Sequence, residues 1–180
     1  MPQHAHMRQQ ILTIALTALN QYGNALTMDQ LAARLPAPPS SLSPYFSSKP
    51  ELVRQLVSFI LTRVRQPPLP FSHRSLADEL RGLIATYREL FTAFRQNSLF
   101  DLKRHYPEEW GSIMELHESQ WQRIAASINS GIASGQLRPV DTKLVQIMTD
   151  EMLLAPFRQA PPSLAELLDI LLFGIARRAP

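Results

Sequence analysis

One ammonium and a few hydroxyls stand where they could hold an anion. Lys49 lies in SSKPEL, where Ser48 can cap a helix, Pro50 suits its first turn and Glu51 takes the third helical position. A cation in that first turn opposes the helix macrodipole at a cost of about 0.3–1 kcal/mol, so helix formation alone does not favour it. A phosphate reverses the sign, because the ammonium and the helix N-terminus then attract the same anion. A solvated surface lysine is the competing reading. Upstream, Ser40, Ser41, Ser43 and Tyr45 place hydroxyls on the outward side of a short segment whose Leu42 and Phe46 point inward, and Thr27 offers another hydroxyl at a helix start. Capping alone explains Thr27, and an anion contact there would be an addition.

Groups for catalysis are sparse. Glu108, Glu109, Glu115 and Glu118 with His105 and His117 include acids and bases, but their spacing fits a solvated helical face. No Gly-rich phosphate loop or nucleophile elbow occurs, so the chain is read as a non-enzyme. It has no cysteine, which excludes disulfides, thiol chemistry and Cys-based zinc sites. The five histidines do not pair with carboxylates at metal-binding spacing, and no metal or cofactor is expected. Aromatic and methionine side chains concentrate instead between Tyr87 and Phe157, among them Phe91, Phe94, Trp110, Met114, Trp121 and Met148. Flexible thioethers beside rings suit an adaptable apolar pocket, with ordinary core packing as the alternative for each residue.

The elements that must position these groups are all helical. Apolar residues recur at three and four, alternating β-branched runs are missing, and Gly, Pro and Ser punctuate the chain. A first helix is predicted from about Met7 to Tyr22, with Gly23 as its left-handed stop. Thr27 and Gln30 form a capping box and Leu26 and Leu31 a hydrophobic staple, opening a second helix over 28–35. PAPP interrupts, and SSLSPYF makes a very short third. Pro44 removes the bond to the Ser40 carbonyl and crowds it, a cost of about 3 kcal/mol in a regular helix, so this element should end or kink near Ser43. A fourth helix runs through about Val64. After QPPLP, five more are predicted at about 73–95, 98–104, 108–133, 141–157 and 163–178, for about nine in all. The last two are apolar over most of their circumference and could be buried by a second copy of themselves.

With 180 residues, 45% of them hydrophobic and 18% charged, the chain can fold into a core with a smaller attached unit. No apolar run reaches the roughly 18–20 residues of a membrane span, and the N-terminus lacks a secretory signal; a cytoplasmic protein with no membrane partner is expected. Residues 1–65 carry Arg8, Arg34, Lys49, Arg54, Arg63 and Arg65 against Asp29 and Glu51, a net +4, while the remainder is close to neutral. A small basic module on a near-neutral body suits a polyanion-binding head, though such a surplus also occurs as ordinary surface variation.

Ile11, Leu12, Ala15, Leu19, Gly23, Thr27, Leu31, Ala32, Leu42, Tyr45, Phe46, Ser48, Lys49 and Leu52, in three short helices followed by a longer one, resemble the DNA-binding head of TetR-type regulators. The segments DLKRHYPEEW, SGIASGQLRPVD and LLDILLFGIARR are similar to that family's ligand-binding and dimerising half. The resemblance implies an all-α protein with a helix-turn-helix domain over 1–47, a connecting helix over 48–66 and a ligand-binding and dimerisation domain over 67–180. It implies a homodimer through residues 141–178 that binds a pseudo-palindromic operator in double-stranded DNA, and release, as from a repressor, by an apolar or amphipathic small molecule. DNA contacts then fall to Thr27, Pro38, Pro39, Ser40, Ser41, Ser43, Tyr45 and Lys49, and the effector pocket to Phe91, Phe94, Trp110, Met114, His117 and Trp121. The sequence departs from the family at Pro36, Ala37 and Pro38, where Gly-Val-Ser is usual. Its third segment has none of the Arg, Asn or Gln side chains that discriminate bases by about 1–3 kcal/mol each. Specificity should therefore come from proline contacts to thymine methyls, DNA shape and half-site spacing. A dimeric ligand-binding protein whose head no longer reads DNA is the alternative.

Overall fold

The computed structural model describes residues 2–36, 42–64 and 75–154, with Asp169 and Gly174; the side chains of residues 2–5, 96 and 152–154 lie outside the description. Within these residues the chain forms α1 (Pro2–Tyr22), a 3-10 turn (Gly23–Ala25), α2 (Met28–Ala32), α3 (Lys49–Val64), α4 (Leu76–Ala93), α5 (Gln96–His105), α6 (Pro107–Ala133) and α7 (Thr142–Leu154). The all-α expectation holds, but nine helices do not: there are seven among the described residues. The predicted 163–178 helix falls outside them except at Asp169 and Gly174, which are helical, and Pro38, Pro39, Ser40 and Ser41 of the predicted third fall outside as well. The described remainder of that third element is a turn at Leu42–Tyr45 rather than a helix. Its amides of Tyr45 and Phe46 both reach the Leu42 carbonyl, at 3.0 and 3.1 Å, and Pro44 has no amide to extend the ladder.

Local chemistry sets most boundaries. α1 begins five residues before the predicted start at Met7, because Pro2 suits a first helical position and the polar turn that follows needs no core to stay helical. Gly23 takes φ +56°, the left-handed stop that only glycine adopts without cost. Thr27 caps α2 with both halves of the box in place: Gln30 N–H donates to its hydroxyl at 3.2 Å and its own N–H to Gln30 Oε1 at 3.0 Å. Leu26 and Leu31 are buried beside it. α2 stops at Ala32, short of Leu35, because the amides of Arg34 and Leu35 reach only three residues back and Pro36 bars Leu35 from helical geometry. At α3 the Glu51 amide donates to Ser48 Oγ at 3.3 Å, while the Glu51 carboxylate turns to Arg54 and Gln55.

The chain divides into two compact units, the first of residues 1–65 and 89–114, the second of 66–88 and 115–180. In the first, α1 packs against α2, α3 and α5. Its core holds Ile11, Leu12, Ala15 and Leu19 of α1, Leu31 of α2, Leu42 and Phe46 of the turn, and Leu52, Val53, Leu56, Val57 and Ile60 of α3. At about 1.5–3 kcal/mol for each large apolar side chain, this burial fixes the short α2, whose five residues could not stay helical alone. The core of the second unit joins Leu80, Leu83 and Ile84 of α4, Trp121, Ile124 and Ile128 of α6, and Val145 of α7. Gly135, at φ 74°, ends α6, and the Asp141 carboxylate caps α7 by accepting from the amides of Lys143 and Leu144 at 2.8 and 3.3 Å.

Candidate functional site

The first unit assembles the basic head from local devices. Ser43 is exposed and Tyr45 half-buried on the turn whose Leu42 and Phe46 are buried, and Thr27 is exposed at its cap. Because the Thr27 hydroxyl is engaged with Gln30, Thr27→Ala should cost about 1 kcal/mol of stability and Thr27→Ser almost nothing. Thermal denaturation of the two variants measures the difference, and equal melting of both would deny the cap its role.

Lys49 has partners that helix electrostatics alone did not suggest. Its ammonium donates to the Asn24 carbonyl at 2.5 Å and to Asn24 Oδ1 at 3.1 Å, reaching across to the 3-10 turn that follows α1. Asn24 is a junction: its amide donates to Asp101 Oδ2 at 2.7 Å, and Tyr106 OH donates to its Oδ1 at 3.1 Å. Burial lowers the Lys49 pKa, and the nearby Asp101 charge opposes that fall. Two of the three ammonium donors are thus used within the unit, and an ammonium can give a third to an anion. One turn earlier, Asn20 ties α1 to the break between α4 and α5. Its Nδ2 donates to the Ala93 carbonyl at 2.6 Å, and its Oδ1 accepts from the Arg95 amide at 2.9 Å and from Ser98 Oγ at 2.8 Å.

The predicted pocket residues divide between the units. In the first, Phe94 is wholly buried as core, Phe91 and Trp110 are half-buried, and Met114 is exposed. The Lys103 ammonium lies 5.9 Å from the Trp110 ring centre. In the second, His117 and Trp121 come together, their ring centres 6.4 Å apart.

Around them runs a polar seam that the sequence did not reveal. Tyr87 OH lies 2.7 Å from His117 Nδ1, His117 Nε2 lies 3.3 Å from Asp150 Oδ2, and Trp121 Nε1 donates to Asp150 Oδ1 at 3.1 Å. Burial, reinforced by the Asp150 charge, raises the Tyr87 pKa far above its ordinary value. Tyr87 therefore stays protonated, and its hydroxyl and His117 Nδ1 share a hydrogen bond while Nε2 faces the Asp150 carboxylate. Beside this chain, Gln120 Nε2 donates to Thr86 Oγ1 at 2.7 Å, and the Thr86 hydroxyl donates to the Gly82 carbonyl at 3.1 Å. Arg123 binds the buried Glu79 through Nε and Nη2 at 3.0 and 2.6 Å. His117 is thus buried against Asp150 and Tyr87, whereas Glu115 and Glu118 are exposed. Thr86, Tyr87, Gln120 and Asp150 were overlooked because their partners lie 29–34 positions away. The available signal was polar residues on helix faces otherwise apolar.

Among the described residues, no three His, Cys, Asp or Glu side chains gather as a metal site, and no helix is long and apolar enough to cross a membrane.

No protein-family model matches the chain. It is 22% identical, over 141 residues, to the uncharacterized HTH-type transcriptional regulator YvaF of Bacillus subtilis, covering 77% of this chain and 74% of that protein. Among solved structures it is similar to the ketosteroid transcriptional regulator KstR2 of Mycobacterium tuberculosis, with a TM-score of 0.67, 21% identity and 95% of each chain covered. It is also similar to the TetR family transcriptional regulator PfmR of Thermus thermophilus, with a TM-score of 0.64, 19% identity, and 91% of this chain and 93% of that one covered. At such identities the likeness is one of fold, and it extends over nearly the whole chain: this protein has the fold of the TetR-family transcriptional regulators.

Proposed function

We propose that the protein is a one-component transcriptional regulator of the TetR type, a repressor that binds a pseudo-palindromic operator as a homodimer and leaves it when a small molecule fills the trunk. The observation that carries the reading is the extent of the fold match, 95% of both chains with one regulator, together with a head whose capping box and buried Leu42 and Phe46 hold the turn between α2 and α3. In this reading the head is residues 1–47, α3 within 48–66 is the connector, and 67–180 senses and dimerises. Thr27, Pro38, Pro39, Ser40, Ser41, Ser43 and Tyr45 face the DNA, and Lys49 gives its third donor to a phosphate. The exposed Leu144, Ile147 and Met148 on α7 support pairing of two copies there. Coupling needs only a ligand that binds one separation of the heads better than the other. No catalytic role is assigned.

A second reading has one specific support: the turn at Leu42–Tyr45 offers DNA no continuous recognition helix there. On that view the protein is a dimeric ligand-binding protein with a head that has lost strong DNA binding. Titrating the labelled DNA upstream of its own coding sequence at about 50 and 200 mM salt separates the two. About six to ten phosphate contacts predict a loss of about 10³-fold or more in affinity over that range. A weak, flat response selects the second reading.

A further inference from the structure

Resting on the reading of the trunk as a sensor, we infer that the α4–α6 seam of the second unit takes a neutral ligand whose hydroxyl or amide N–H donates to Gln120 Oε1. Gln120 is 8% exposed, and its Oε1 is buried with no hydrogen-bond partner among the described residues. The amide orientation is fixed by its neighbour. Thr86 gives its proton to the Gly82 carbonyl, so its oxygen can only accept, and the Gln120 NH₂ must be the end that faces it. The remaining carbonyl is a buried acceptor that costs about 1–3 kcal/mol while unmet.

The surroundings select what can meet it. A water molecule needs about two to four polar partners, and the adjacent groups are engaged: Tyr87 with His117, and Trp121 and His117 with Asp150. The flanks of the seam are apolar, the buried Leu83, Ile84, Trp121 and Ile124 of the core that α4 and α6 share, so the remainder of a ligand seated there must be apolar too. An anionic head group is disfavoured, because the group that awaits a partner is an acceptor and the nearby Asp150 is a carboxylate. A donor-bearing neutral group satisfies the seam without bringing a charge out of water.

The test titrates the full chain at about pH 8 with 1-octanol, the isosteric ether 1-methoxyheptane and octanoate, following tryptophan emission. The alcohol should bind about tenfold tighter than the ether, the effect of one neutral hydrogen bond in a buried site, and tighter than octanoate. Gln120→Leu should bring the alcohol down to the level of the ether while melting without ligand is unchanged or raised; Gln120→Met serves if the leucine variant misfolds. Equal binding of alcohol and ether, preference for octanoate, no binding of any probe up to its solubility, or alcohol binding indifferent to either substitution would each overturn the inference. Selective alcohol binding that leaves the DNA affinity unaltered keeps this site and removes the regulator reading.

Discussion

Replacing Leu144 and Ile147 together by glutamate is expected to turn the proposed dimer into a folded monomer and to weaken binding to the proposed operator by more than about 100-fold. α7 has two faces. Val145 and Thr149 are buried against its own unit, whereas Leu144, Ile147 and Met148, spaced at three and four, are 56%, 52% and 46% exposed. Because the pair of substitutions sits on the outward face, the single chain should lose little stability, within about 0.5 kcal/mol. In a twofold interface each change occurs twice, so four apolar side chains leave and four carboxylates enter. At about 1.5 kcal/mol or more for each, the dimer loses about 6 kcal/mol, or about 10⁴-fold in its dissociation constant. A single head then has half the phosphate contacts and no half-site spacing to read. Sedimentation measures the assembly, circular dichroism the fold, and anisotropy the DNA affinity. A variant that stays dimeric at micromolar concentration places the interface elsewhere. A monomer that binds the operator undiminished would end the symmetric reading.

How far the molecule could be foreseen depended on how far apart the interacting residues lie in the chain. The start of α3 at Lys49, the box between Thr27 and Gln30 and the stop at Gly23 each involve residues within a few positions, and all three follow from the residue types alone. The short third element was foreseen as broken by Pro44, and the described part of it is only a turn. The seam behaves differently. Gln120 meets Thr86, and His117 meets Tyr87 and Asp150, only because α4, α6 and α7 adopt one particular register, which hydrophobic spacing leaves open. Lys49 stood out as a cation at the wrong end of a helix, yet its partner is a backbone carbonyl 25 positions away, and no residue type announces a carbonyl. Sequence reasoning located the unusual side chain and assigned it an external anion; the fold adds an internal acceptor first.

That junction makes Gly23→Ala the most damaging small substitution expected in the head, at about 3 kcal/mol. Two costs combine. At φ +56° an alanine loses about 1–2 kcal/mol to left-handed backbone that glycine adopts freely. Its methyl would also overlap Asp101 Oδ2. A carboxylate oxygen is the far end of a short, mobile side chain, so the overlap itself is easily relieved. What is lost is the bond that oxygen makes with the Asn24 amide at 2.7 Å, a charge-assisted contact of about 1.5–3 kcal/mol before allowing for its partial exposure. Asn24 in turn holds the Lys49 ammonium and Tyr106 OH, so displacement of Asp101 loosens the attachment of α5 and of the start of α3 together. For a chain of this size the loss corresponds to a melting point lower by about 6–12 °C. The two costs can be separated with Asp101→Ala, which removes the carboxylate that the methyl would strike. In that background Gly23→Ala should cost only its backbone share, so the double variant is more stable than the sum of the single losses implies. Strict additivity, or a loss below about 1 kcal/mol in the natural background, would mean that Asp101 does not hold the turn and that the Asn24 junction is not what joins the first helix to α5.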